Sequence, residues 1–385
     1  MTRQTPLDKP NEGRLYSSPM HIGLDARLTY YRVGGISTYI RESVKALEAL
    51  DQENRYTIFH SRKARETVTT RFQRANLWTP SHHRLERLAW SVELTRFRLD
   101  VLHSTDYIPP FWGARRHVIT IHDLSFLLYP QYITADTKRY YSDQIRAAAA
   151  QADHILTISE ASKADIVRLL GVAPEKITVQ ACGVDGTYRP LPADQVEAVR
   201  RAHDLPSEYF LHVGTIEPRK NIIGLVTAYR ELINRMPDLP PIVLVGKPGW
   251  HFDTIMNEVR EIGVDKHLIW RENISRGDLP AVYNGALAVV MPSHYEGFGL
   301  PPLEGMACGV VPVVSNRSSL PEVVGDVGLL VDPDQPSMIA AALEKVLGDS
   351  KWRSEMRQRG LLRAAQFTWE RTARIALSVY HRVVS

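Results

Sequence analysis

Two carboxylates flank a glycine loop in the stretch Met291 to Gly309, M-P-S-H-Y-E-G-F-G-L-P-P-L-E-G-M-A-C-G. Glu296 precedes Gly297, Phe298 and Gly299; Leu300, Pro301 and Pro302 then open an expected helix, with Glu304 in its first turn. Proline is tolerated there because first-turn N–H groups have no partner. Glycines let a ligand approach the backbone closely. Free N–H groups and a positive dipole end suit a phosphate. Carboxylates bind phosphate poorly but accept hydrogen bonds from hydroxyls. A phosphate and several hydroxyls in one place describe a nucleotide-sugar.

Three further stretches could serve the same ligand. Gly214-Thr215-Ile216-Glu217-Pro218-Arg219-Lys220-Asn221 follows an apolar run, Tyr209 to Val213. Arginine can grip two phosphate oxygens in a fork, and lysine adds a point charge. Both sit before an expected helix reaching about Met236, where cations oppose the dipole, so an anion is expected beside them. Gly34 and Gly35 follow the first strand and form a nest that an anion or sugar can approach. His122-Asp123 ends another strand, and carboxyl ends of strands face the ligand crevice of an open α/β sheet. A histidine there can hydrogen-bond a substrate and titrates near neutral pH. Asp332-Pro333-Asp334 reads as a turn and cap rather than a metal site.

The elements that must position these residues repeat one grammar. In the first half, strands are expected at His21–Leu24, Tyr56–Phe59, Ala75–Trp78, Asp100–His103, His117–Ile121, His154–Ile158 and Ile177–Gln180. Helices are expected over Ser37–Leu50, Thr134–Ala150 and Glu160–Leu170. A helix over Leu85–Phe97 would gather Leu85, Leu88, Ala89 and Val92 on its apolar face, with arginines opposite. The second half repeats the pattern with strands at Tyr209–Val213, Pro241–Val245, His267–Trp270, Ala286–Val290, Val310–Val314 and Val327–Val331. Alternation of strand and helix with short connections predicts an α/β protein with doubly wound parallel sheets. The expected division is a disordered tail over 1–19, a first domain over 20–188, a linker over 189–206, a second domain over 207–367 and a helix over 368–385.

The 385 residues suffice for two domains with full cores. No run of 18 or more apolar residues occurs, so no membrane-spanning helix is expected. The polar start has no secretory pattern. Cys182 and Cys308, the only cysteines, lack metal-ligand spacing and fit a reducing cytosol. Net charge is +4, with basic residues clustered between Arg62 and Arg116 (Lys63, Arg65, Arg71, Arg74, Arg84, Arg87, Arg96, Arg98 and Arg115 among them). Such a face attracts anionic lipid or an anionic substrate; no nucleic-acid module accompanies it, so no nucleic-acid partner is expected.

The linked motifs resemble retaining glycosyltransferases of family 4, two-domain enzymes of the GT-B fold. The resemblance is strongest from Gly214 to Pro333, in G-T-I-E-P-R-K-N and the Glu-x7-Glu block. It implies two Rossmann-like domains facing a cleft, the donor in the second and the acceptor in the first, and a last helix crossing back to the first domain. Arg219 and Lys220 would hold the diphosphate, Glu296 would orient the sugar, and Glu304 would hold the ribose. His122 would approach the transferred sugar. Gly34, Gly35, Gly214, Thr215, Gly297, Phe298, Gly299 and Leu300 would line the donor site, and the loop at Ile274 would receive the base through backbone groups. Family members commonly carry Arg where Thr215 stands here, which leaves the role of Thr215 open. The motif variant looks most like mannosyltransferases using GDP-mannose, with a glycan or lipid-linked acceptor in cell-surface polysaccharide synthesis. No separate cofactor and no metal are implied, and the location would be cytoplasmic, peripheral at the inner membrane face. A UDP-sugar donor, or a nucleotide-sugar epimerase or phosphorylase on the same fold, are the alternatives; a sugar-binding protein would carry a secretion signal.

Overall fold

A computed structural model describes residues 19–31, 34–83, 85–132, 138–236 and 238–385. The expected tail, apart from Pro19, lies outside these residues, as do Arg84 and the first turn of the expected helix at Thr134.

The apolar runs form two wholly parallel sheets. The first contains β1 (His21–Asp25), β2 (Arg55–Ser61), β3 (Gln73–Leu77), β4 (Leu99–Ser104), β5 (Ala114–Ile121), β6 (His154–Thr157) and β7 (Ile177–Val179), in the order β3-β2-β1-β4-β5-β6-β7. The second contains β8 (Phe210–Val213), β9 (Ile242–Val245), β10 (Leu268–Arg271), β11 (Ala288–Met291), β12 (Val311–Ser315) and β13 (Leu329–Val331), in the order β10-β9-β8-β11-β12-β13. Helices cover both faces, which is why the central strands read as unbroken apolar runs, not as alternation. The chain reverses its winding between β1 and β4, and again between β8 and β11. At such switch points the carboxyl ends of the strands open a crevice. The loops after β1, β8 and β11 carry Gly34-Gly35, Arg219-Lys220 and Glu296.

Three local expectations are corrected. Residues Ala193–Ala202, expected within a linker, form a helix, because A-D-Q-V-E-A-V-R-R-A is rich in good helix formers and Glu197 pairs with Arg200 and Arg201. The single helix expected up to Ala150 is broken among its described residues into a π-helical turn, Lys138–Ser142, and a helix, Ile145–Gln151. Tyr140 and Tyr141 in that turn donate hydroxyls to Glu86 and Asp106. The helix Glu86–Leu94 is turned the other way round: Glu86, Trp90, Ser91 and Leu94 are buried, while Leu85, Leu88, Ala89 and Val92 face outward. The buried Arg27 decides this. It bonds Asp25 and Glu86 and stacks 3.9 Å above the Trp90 ring, and a buried guanidinium needs such partners.

The last helix, Trp369–Val384, lies against the helix Gly35–Leu50 of the first sheet's layer. The Tyr380 hydroxyl is 2.7 Å from His103 Nδ1, and Gln180 Nε2 donates to the Thr372 carbonyl at 2.7 Å.

Candidate functional site

Arg219 and Lys220 form the end of a one-turn 3-10 helix, Pro218–Lys220, directly after β8. The following helix, Ile222–Ile233, is capped by Asn221, whose side chain accepts from Gly224 N at 3.1 Å. The cationic character here belongs to the side chains. Lys220 Nζ donates to both oxygens of Glu296, at 2.7 and 2.9 Å. Arg219 reaches the same carboxylate at 3.2 Å, the Tyr295 carbonyl at 2.5 Å and Glu217 at 2.6 Å. The anion demanded by two adjacent cations is therefore supplied by the protein itself. Burial would raise the Glu296 carboxyl, but Lys220 and then Arg219 outweigh it and hold the group down at about 2.

Glu296 is fixed from behind. Its N–H donates to Ser318 Oγ at 2.9 Å, and Ser319 Oγ lies 2.8 Å from its carbonyl. Neither serine was singled out from the sequence, though the Ser-Ser pair after β12 was visible. His212 was also missed. It sits fully buried in β8, its Nδ1–H donating to the Val290 carbonyl at 2.9 Å, while Nε2 has no partner among the described residues. That nitrogen and Lys220 Nζ both border the space over Gly214, 3.9 and 3.6 Å from the point a Cβ there would occupy. Burial holds the His212 ring neutral, with its pKa lowered to about 4. A histidine near the carboxyl end of an otherwise apolar strand was the signal.

The glycine loop is where the two sheets' layers meet. A Cβ on Gly297 would lie 2.9 Å from Asp123 Oδ2 and 3.0 Å from the His122 carbonyl, so only glycine permits this approach. Gly299 has φ +121° and precedes the helix Leu300–Ala307. Leu300 comes within 3.8 Å of where a Gly35 Cβ would stand. The structure thus brings Gly34-Gly35, His122 and the Gly297–Leu300 loop together. His122 itself is buried; its Nε2–H donates to the Thr105 carbonyl at 2.8 Å, and Tyr39 and Tyr107 pack edge-on. Only Nδ1 can then accept a proton or a hydroxyl, and burial lowers the ring's pKa.

Other expected residues divide. Phe298 turns into the core against Phe367, so only its backbone can meet a ligand. Glu304 stands in the second turn of its helix, since the helix begins at Leu300. Its carboxylate accepts from the Tyr283 hydroxyl at 2.7 Å. Burial raises its pKa to about 7, against the opposing hydroxyls of Tyr283 and Tyr188. Thr215 is exposed, and Ile274 is half-buried beside β10. Asp332 and Asp334 pair with Arg317, which accounts for the acidic turn. Among the described residues no cluster of three or more His, Cys, Asp or Glu could hold a metal ion.

Polar bonds also cross between the layers. Glu322 accepts from Glu160 N and Ala161 N at 2.9 and 3.2 Å, at the start of the helix Glu160–Leu170. Tyr295 donates to Asp165 at 2.8 Å, and Arg276 to Thr38 at 2.8 Å.

This arrangement gives a buried lysine beside a half-buried arginine, a carboxylate on each side of a glycine loop, and a histidine across the cleft. The family described as Glycosyltransferase Family 4 matches residues 33–187, and that described as Glycosyl transferases group 1 matches 195–363. The chain is 32% identical to O-antigen chain mannosyltransferase B of Escherichia coli over 91% of its own length and 96% of that relative's. The chain is a family-4 glycosyltransferase. It is also 31% identical to the serotype-specific mannosyltransferase WbdA of Escherichia coli, over 73% of this chain and 36% of that protein, so it spans about a third of WbdA. The transferase has the GT-B fold. Sucrose-phosphate synthase from Thermosynechococcus elongatus superposes with a TM-score of 0.77 at 22% identity, covering 94% of this chain and 98% of that one.

Proposed function

We propose that this transferase moves a mannosyl group from GDP-mannose to a hydroxyl of a lipid-linked glycan, with retention at the anomeric carbon, in cell-surface polysaccharide synthesis. One geometric observation carries the chemistry: Lys220 and Arg219 converge on Glu296 at the carboxyl ends of β8 and β11. Negative charge grows on the leaving diphosphate as the glycosidic bond breaks. Cations already fixed in a water-poor site stabilise that charge without reorganising. Lys220 gives two N–H groups to Glu296 and keeps a third for a phosphate oxygen. Glu296, held at the loop, takes sugar hydroxyls, and Glu304 takes the ribose. Arg219 and Lys220 supply the positive charge that a divalent metal would otherwise bring.

The choice of mannose rests on the near full-length likeness to an O-antigen chain mannosyltransferase. The test is incubation with a panel of nucleotide-sugars and a lipid-linked acceptor, with products read by mass and anomeric configuration by NMR, in the presence and absence of a chelator. Transfer of mannose from the GDP-sugar with unchanged configuration and undiminished rate in chelator is expected. Preference for a UDP-sugar, donor conversion without acceptor, inversion, or activity lost to chelator and restored by magnesium would each overturn the corresponding part.

A further inference from the structure

The His122 ring is tied at one atom, by the bond from Nε2–H to the Thr105 carbonyl at 2.8 Å. That bond leaves the plane of the ring to packing. Tyr39 supplies part of the packing, with 5.0 Å between ring centroids and 85° between ring planes, the edge-to-face arrangement that aromatic pairs favour. Tyr39 is buried and stands one turn beyond Gly35 on the helix Gly35–Leu50. Residues four apart share a helix face. The face that meets Leu300 at Gly35 therefore also meets His122 at Tyr39.

The Tyr39 hydroxyl belongs to a chain of hydrogen bonds that starts and ends on the last helix, Trp369–Val384. Its direction follows from one group that can only accept. The Thr372 carbonyl takes a bond from Gln180 Nε2 at 2.7 Å, so Gln180 Oε1 faces Tyr39 and accepts its hydroxyl at 2.8 Å. With that proton committed, the Tyr39 oxygen accepts from Thr120 Oγ1 at 3.1 Å. Thr120 in turn accepts from His103 Nε2–H at 2.7 Å. His103 Nδ1 is left to accept the Tyr380 hydroxyl, also at 2.7 Å. Burial keeps His103 neutral, its pKa lowered to about 3, as this tautomer requires. Every member of the chain is buried, and a satisfied buried network makes its members rigid. Trp369, the first residue of the last helix, lies 6.4 Å from the Tyr39 ring and adds a second contact.

We infer that Tyr39 is a positioning residue for His122, and that the last helix, through Gln180, sets the plane of that histidine. The inference rests on the reading that His122 meets the transferred sugar. It makes the last helix a support of the site from behind. The helix acts through two buried side chains, not by touching donor or acceptor.

The test uses the full chain with isotope-labelled histidine rings. The His122 signals are identified by their loss in His122→Gln, which keeps an N–H donor for Thr105 but has no ring. Tyr39→Phe keeps the aromatic ring and removes the hydroxyl; Gln180→Leu cuts the same link from the other side. Either should shift and broaden the His122 ring signals in NMR. Either should lower kcat by roughly 10- to 100-fold, the scale of a small misplacement in a reacting site, with donor KM and circular dichroism close to wild type. In the His122→Gln background the same substitutions should cost no further kcat, because their effect passes through the missing ring. An equal loss in both backgrounds would make the network general support for the fold and overturn the inference. His122 signals unmoved by either variant would overturn it too. If His122→Gln alone keeps wild-type kcat, the placement of His122 at the sugar fails, and the ring signals then decide the positioning by themselves.

Discussion

Lys220 Nζ and the Glu296 carboxylate form a buried bidentate pair, 2.7 and 2.9 Å apart, between residues 76 positions distant in sequence. Removing one partner of such a pair leaves an uncompensated buried charge. Lys220→Ala should destabilise the fold by about 3 kcal/mol, the lower end for broken buried pairs, because Arg219 remains nearby. Pairing Lys220→Ala with Glu296→Gln should restore most of that loss. Urea denaturation of both variants reads this directly; equal destabilisation by single and double variants would show the pair to be uncoupled.

Loss of donor binding and loss of turnover should separate along the glycine loop. Glu296 sits beside the cations where bond breaking is proposed, and Glu304 lies beyond the loop beside Tyr283. Glu296→Ala should lower kcat by roughly 100-fold, the scale of a lost electrostatic contact of about 3 kcal/mol. Glu304→Ala should act on donor KM and on affinity for the free nucleotide. Arg219→Ala should weaken nucleotide binding about 10- to 100-fold, as for a charge-assisted hydrogen bond. Steady-state kinetics with calorimetry on all three decide it; wild-type kcat in Glu296→Ala would reverse the assignment.

Glu304 should impose a pH dependence of opposite sign to that of Glu296. Its carboxyl is raised from 4.5 to about 7, mainly by burial. The folded protein therefore holds a proton that the unfolded chain has released over that interval. This contribution to stability is present below the unfolded value and is lost as pH rises through 7. Glu304→Gln should remove a loss of roughly 3 kcal/mol between those limits. Nucleotide affinity of the wild type should rise through about pH 7, as the ionised carboxylate becomes an acceptor for hydroxyls, and should be flat in Glu304→Gln. Glu296, held at about 2, loses its contribution only as pH falls below 4.5.

Glu322 should act as a clasp on the cleft. It caps the start of a helix in the other layer, through Glu160 N and Ala161 N. A helix cap is worth about 1 kcal/mol, so Glu322→Ala should shift an open–closed balance roughly fivefold toward the open form. A larger radius of gyration by small-angle scattering and a raised donor KM are expected, with the melting of the isolated layers unchanged. An unaltered scattering profile would make the contact incidental.

Much of this was legible in the chain. The strand–loop–helix units around Gly34, Gly214 and Gly297 could be read because buried parallel strands are continuous apolar runs punctuated by glycine. Periodicity located the helix Glu86–Leu94 but could not orient it. An apolar face turns inward by default, and here the buried guanidinium of Arg27 draws Glu86 and Trp90 in instead. Arg219, Lys220 and Glu296 were each recognisable, yet their mutual pairing was not, because local sequence carries no information on contacts between β8 and β11 loops. His212 and Ser318 were visible as residue types, but their roles were not, for the same reason: the Val290 carbonyl comes from β11 and the Glu296 N–H from the loop after it.

The position of the final helix has a consequence for how the polypeptide is made. Strands β1 to β7 are complete by Val179, but Tyr380 and Thr372 supply bonds to His103, Gln180 and Ala181. During synthesis at ~5–20 residues per second, the first layer waits roughly 10–40 s for its last covering segment. For that time it is a nascent chain with an open apolar groove, while the second layer is being completed behind it. Synthesis of the helix Trp369–Val384, rather than the end of its own sheet, is the event that closes the first domain.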